Sequence, residues 1–180
     1  MDAGEKQELL ESLECGRQVL LAELDGLSED LAARTPGPGR WSVRECVEHL
    51  SLVEDYLFAQ LTSSQITASQ PSQKPVGSRM RENSILKRGA DRTRPLEAPE
   101  MVRPTGRFAT LAEALAAFVT SRDQTVHYVR TNNEDPRARA AHHPLLGPVN
   151  CQEILLIMAV HPHRHAAQIR EIRQAISATR

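Results

Sequence analysis

Apolar residues recur at helical spacing over four stretches of the chain. Over residues 5–33, Leu9, Leu13, Leu20, Leu24, Leu27 and Leu31 are mostly three, four or seven positions apart. That spacing places them on one helix face. Gly16 lies within the run, where it either admits a close neighbour or weakens the turn. The run stops at TPGPG, residues 35–39, a cluster of helix breakers. Ser42 and Glu45 then form an S-x-x-E capping box, which satisfies the free N–H groups of a helix start. Val43, Val47, Leu50, Val53 and Leu57 carry the next stripe, predicting a helix over 43–65. Thr110 and Glu113 repeat the device ahead of Leu111, Leu115, Phe118, Val119, Val126 and Val129, and that helix ends near TNNEDP, residues 131–136. Asn150, with Glu153 three positions on, reads as the N-cap of a last helix over 151–177. Its stripe is Ile154, Met158, His161, His165, Ile169, Ile172 and Ile176. No stretch alternates convincingly as a strand, so none is expected.

The polar stretch between the second and third helices, residues 66–108, is long for a connection inside one domain. A short helix is predicted over 79–88 (RMRENSILKR). The stretch reads as a crossover between two helical hairpins and not as a domain boundary. The expected architecture is therefore all-α: one domain, residues 1–180, forming a four-helix bundle with a long crossover between helices 2 and 3.

Composition changes little in this picture. Aromatic residues are 3% of the chain, and the aliphatic core this leaves suits helices. A net charge of −1 carries no global signature of nucleic-acid binding. The segment from Lys74 to Arg107, however, holds nine Lys or Arg against four Asp or Glu. It is either a solvated loop or a grip for an acidic cosubstrate. Cys15, Cys46 and Cys151 are odd in number and form no C-x-x-C, which suits a reducing, cytoplasmic setting. The N-terminal residues do not read as a signal peptide. The longest apolar run, ILLIMAV at 154–160, is far short of a membrane span. Neither a nucleic-acid nor a membrane partner is expected.

The chemistry lies in HPHRHAAQIREIR, residues 161–173. His161 and His165 are four apart, so their rings stack one turn above another on the apolar face. His163 points elsewhere. His49, on the second helix, sits at the core edge of its stripe beside Cys46 and Val53. Three inward imidazoles on two helices could converge as ligands of a divalent ion, with an open position as in catalytic sites. The plainer alternative is core histidines with hydrogen-bond partners. Pro162 complicates either reading. It removes a helical hydrogen bond to residue 158 and disfavours helical geometry at His161, which predicts a kink or a distorted site. Nearby, Cys46 reads as a core residue before a soft ligand, and Trp41 as packing at a helix start. Glu48 reads as a surface carboxylate before a base, and Arg164 as either solvated or anion-holding. His142 or His143 could reach the rim of the site, and His127 reads as a surface or packing residue.

Two blocks carry a resemblance. WSVRECVEHLSLVE is similar to the W-S-x-x-E-x-x-x-H-L helix start of the DinB-like superfamily of metalloenzymes. HPLLGPVNCQEILLIMAVHPHRHAAQIREI resembles its H-P-x-x-G-P block followed by H-x-x-R-H-x-x-Q-I. The resemblance implies an up-up-down-down four-helix bundle. It implies a metal site on His49, His161 and His165 with water completing the shell, and a homodimer; three imidazoles and water accept several divalent ions, Zn, Ni or Fe among them. Some relatives are thiol-dependent transferases using bacillithiol or mycothiol, or a mycothiol-dependent isomerase. The expected function is a metal-dependent enzyme that transfers a low-molecular-weight thiol to a small electrophilic substrate. The alternatives are a metal-dependent hydrolase and a non-enzymatic, dimeric metal- or ligand-binding bundle.

Overall fold

The computed structural model describes residues 1–63, 65–66, 79–93 and 96–178, with backbone alone at 65–66. Four long helices carry the fold: α1 (Ala3–Leu24), α3 (Val43–Ser63), α5 (Leu111–Thr131) and α6 (Cys151–Ala178). Two short ones accompany them, α2 (Glu29–Ala33) and α4 (Arg79–Gly89). The capping boxes form as predicted. Ser42 and Glu45 exchange backbone-to-side-chain bonds, as do Thr110 with Glu113 and Asn150 with Glu153. The leucine run at 5–33 is two helices and not one. The chain turns at Gly26, whose φ of 68° suits glycine, and Ser28 caps α2.

α1 packs against α5 and α6, and so does α3. Directions follow from the contacts. Arg17 of α1 meets Asp123 of α5, while Lys6 reaches the Arg130 carbonyl, so α1 and α5 are antiparallel. Gly16 faces Ala159 and Glu23 pairs with Arg170, so α1 and α6 are parallel. One core joins Leu57 and Leu61 to Ile154 and Leu155; the other joins Val43 and Val47 to Ile169 and Ile172. α3 and α6 are therefore antiparallel. The helices run up-down-down-up, which corrects the up-up-down-down expectation. An amphipathic stripe looks the same whichever way its helix runs, so the stripes carried no information on direction. The parallel pair α3 and α5 explains the crossover. The chain must travel back along the bundle, roughly 30 Å at 1.5 Å per helical residue. Residues 67–78 of the crossover, 94–95 within it and the last two residues lie outside the described set.

A small sheet corrects the expectation of no strands. β2 (Arg139–His143) and β3 (Gly147–Asn150) form an antiparallel hairpin, and β1 (Gln65–Ile66) adds to the outer edge of β2. Gly147, at φ 71°, makes its turn possible. These strands are short and rich in His, Pro and Gly, so no alternation marks them.

Between the two apolar cores lies a polar layer. Arg122 is wholly buried and forms an ion pair with buried Glu54. It also donates to the carbonyls of Leu13 at 2.8 Å and Met158 at 2.7 Å. Met158 is the residue whose carbonyl Pro162 deprives of its helical donor. The helix runs unbroken through Pro162. A guanidinium from α5 supplies what the proline removed, which a buried carbonyl requires. Gly16 of α1 passes here too, where a Cβ would lie 2.5 Å from the Ala159 carbonyl oxygen and 3.5 Å from the Pro162 ring.

Candidate metal centre

His49 lies in the second turn of α3, and His161 and His165 lie near the middle of α6. The structure brings the three together. One nitrogen from each lies within 4.8 Å of the others, and the His161 and His165 Nε2 atoms are 3.0 Å apart. His49 donates from Nδ1 to the Val102 carbonyl at 2.6 Å, which turns its Nε2 toward the other two rings. His165 Nδ1 is buried and has no hydrogen-bond partner among the described residues. His163, half-buried, takes no part.

Burial holds all three imidazoles below the ordinary histidine range. The effect is strongest at His161 and His165, where like charges of neighbouring histidines and of Arg164 add to it. They are neutral at neutral pH, with lone pairs available. A tetrahedral ion with metal–nitrogen bonds of about 2.0–2.1 Å sets its donors roughly 3.3 Å apart, and an octahedral one roughly 2.9 Å. The 3.0 Å pair falls between these values. That pair is spaced for a divalent ion, and the His49 nitrogen lies within 4.8 Å of both. Neutral nitrogens facing one another at this distance repel unless a proton or a cation lies between them.

Adjacent residues of α3 hold the same loop. His49 takes the Val102 carbonyl, and Glu48 accepts from the backbone N–H groups of Thr105 at 2.7 Å and Arg107 at 3.1 Å. Glu48 is thus neither a surface carboxylate nor a free base. It is 1% exposed and anchors the 105–107 turn. Trp41 does more than pack at a helix start. Its ring lies 5.0 Å from that of His49 and 6.4 Å, stacked, from that of His165. Cys46 is buried in the core with its thiol pushed far up by burial, and it stands outside the cluster. Arg164 is buried and donates to the Asp91 carbonyl, tying the segment after α4 to α6. His143 lines the cavity above the centre, His142 is exposed outside it, and His127 lines a separate groove between α3 and α5.

That cavity, of about 1060 Å³, is walled by α3, α4, α6, the 96–103 segment and the hairpin turn. All three histidines line it. Sequence reasoning missed Val102, because a carbonyl has no sequence signature. It also missed Arg122 and Glu54, although a signal existed. Glu54 falls on the stripe of Leu50 and Leu57, and Arg122 on that of Phe118 and Val129, so charges of opposite sign stood on two inward faces.

A bundle of this order with three histidines on its second and last long helices defines a class. The DinB superfamily profile matches residues 12–169, and the chain belongs to that superfamily. YuaE of Bacillus subtilis, an uncharacterised protein, is 23% identical over 154 residues, spanning 86% of this chain and 90% of its own. YfiT from Bacillus subtilis, described as a probable metal-dependent hydrolase with an unusual four-helix bundle topology, superposes with a TM-score of 0.60 at 18% identity. The match covers 98% of this chain and 90% of YfiT. The crystal structure of TT2238, a four-helix bundle protein, gives 0.58 at 20% identity over 92% of this chain and 98% of its own. Among the described residues, no helix is long and apolar enough to cross a membrane.

Proposed function

We propose that His49, His161 and His165 bind a divalent cation, Zn, Ni or Fe, and that the protein is a metal-dependent enzyme acting on a small molecule in the adjoining cavity. The observation that carries this reading is the convergence of three neutral imidazoles, His49 and His165 buried and His161 half-buried, at the floor of that cavity. Bound there, such an ion supplies Lewis acidity that lowers the pKa of a water or thiol at its open position. The chain's own residues do the rest. The Val102 carbonyl fixes the His49 tautomer, as partners of metal-ligating histidines do. Trp41 covers His49 and His165 on one side. The cavity holds the substrate against the centre.

Transfer of a low-molecular-weight thiol to an electrophile is our first reading of the reaction, and hydrolysis is the second. One observation favours the thiol. Among the described residues Glu97 is the single carboxylate residue lining the cavity, and it is paired with Arg103 at 2.6 Å. A thiolate needs no general base once ionised, whereas attack by water gains from one. YfiT's description favours hydrolysis. Elemental analysis of the purified protein tests the centre: about one equivalent of metal per chain is expected, falling sharply in His161→Ala and His165→Ala. Sub-stoichiometric metal that these changes leave unaltered would sink the proposal. Turnover of generic electrophiles with and without added thiols then separates the two reactions. We also propose a homodimer, to be tested by sedimentation.

A further inference from the structure

The cavity above the histidines is strongly one-signed. Among the described residues, Arg40, Arg81, Arg88, Arg92, Arg103 and Arg164 line it, against Glu97 alone. Three of these have carboxylate partners: Arg81 with Glu153, Arg92 with Glu171 and Arg103 with Glu97. Arg164 donates to the Asp91 carbonyl. Arg40 and Arg88 are exposed, and neither guanidinium makes a hydrogen bond or ion pair among the described residues. Residues outside the described set hold no Asp or Glu to supply a partner. Arg40 does act on Glu171, but it shares that one carboxylate with Arg92 and Arg164, and together they hold it below the usual carboxylate range. Guanidinium groups lining one concavity concentrate positive potential there and match the planar fork of an oxyanion.

The same cavity is also apolar at its mouth. Of the five large apolar side chains exposed among the described residues, four line it: Leu96, Met101, Leu145 and Leu146. Exposed apolar side chains gathered at one concave place mark a binding site.

We propose that the cavity selects an amphiphilic anion, whose carboxylate or phosphate is held by Arg40 and Arg88 while its apolar part lies against Leu96, Met101, Leu145 and Leu146. The inference rests on the reading of the histidine cluster as the reacting centre, and it names the substrate class of that centre. The anion-binding wall is separate in sequence from the histidines, so the two can fail independently.

The test uses octanoate as probe, with octanamide as its neutral match and octyl phosphate as the second oxyanion, on the full chain by calorimetry at low salt. Octanoate or octyl phosphate is expected to bind at least tenfold more tightly than octanamide. That preference is expected to persist in His161→Ala and to fall at least tenfold in Arg40→Gln/Arg88→Gln with its metal content unchanged. The stronger of the two oxyanions identifies the group. Equal binding of octanamide, or no change in the arginine variant, overturns the inference. Binding lost in His161→Ala overturns it as well, because the carboxylate was then caught by the metal centre; the metalloenzyme reading would survive that result. A metal-free protein that still prefers octanoate would leave this subsite standing and remove the metal centre instead. A dimer that Leu145→Ser/Leu146→Ser dissociates, with no octanoate bound, would assign the apolar mouth to a second copy and overturn the inference too.

Discussion

Arg122 gives the sharpest test of how the core is built, because its guanidinium answers a defect created by Pro162. In a helix the carbonyl of residue 158 accepts from the N–H of residue 162, and proline has none. Arg122 donates to that carbonyl at 2.7 Å and neutralises Glu54. Arg122→Met alone leaves a buried carboxylate without its partner, and breaking such a pair costs about 3–5 kcal/mol. At about 2–4 °C per kcal/mol for a chain of this size, Tm falls by roughly 6–20 °C. The carbonyl can be isolated by working in a Glu54→Leu background, where Arg122→Met strands no carboxylate and the lone guanidinium of the background is common to both arms of the comparison with Pro162→Ala. There Arg122→Met leaves the Met158 oxygen without a donor, at about 1–3 kcal/mol, while the Leu13 oxygen keeps its helical one. Adding Pro162→Ala returns the missing N–H. The cost of Arg122→Met should then shrink by about 1–2 kcal/mol, measured by urea unfolding in chelator so that metal does not bias the native state. Additivity within about 0.5 kcal/mol would refute the reasoning, since the arginine and the proline would then not act on the same carbonyl.

Three further outcomes are expected. Gly16→Ala puts a Cβ 2.5 Å from the Ala159 oxygen, so α1 must move off α6. The loss of about 1–3 kcal/mol exceeds the gain of about 1 kcal/mol in helix propensity, and a stabilised variant would contradict this packing. Glu48→Gln weakens two charge-assisted bonds to the 105–107 turn, costs about 2 kcal/mol, and should speed amide exchange at Thr105 and Arg107. Glu5 is held below its usual value of 4.5 by the Asp2 N–H and by Arg137. A depressed carboxylate stabilises the fold fully above its unfolded pKa and loses that contribution as pH falls through the folded one. Glu5→Gln should therefore flatten the acid limb of the stability curve below about pH 5, and an unchanged slope would show that Glu5 is not a major contributor.

Much of this was written in the chain. Helix starts were legible because S-x-x-E, T-x-x-E and Asn150 with Glu153 are local devices whose partners lie three residues apart. The pairing of His161 with His165 was legible from helical periodicity, and the placing of His49 with them followed from the family resemblance. What could not be read was set by tertiary contact. Helix direction leaves no trace in a stripe. The break at Gly26 was hidden because Leu24, Leu27 and Leu31 keep helical spacing across it. Pro162 looked damaging because its remedy lies forty residues upstream, on another helix.

The histidines that meet at the cavity floor are far apart along the chain, His49 preceding His161 by 161 − 49 = 112 positions. Closing a loop of that length costs about 4 kcal/mol in chain entropy, before any constant term. The loop between them contains the whole crossover and α5. A chain still emerging during synthesis cannot present the three-nitrogen set until α6 has been made and docked. The centre is therefore a late event of folding, and a metal ion that needs all three nitrogens is captured only once α6 has docked.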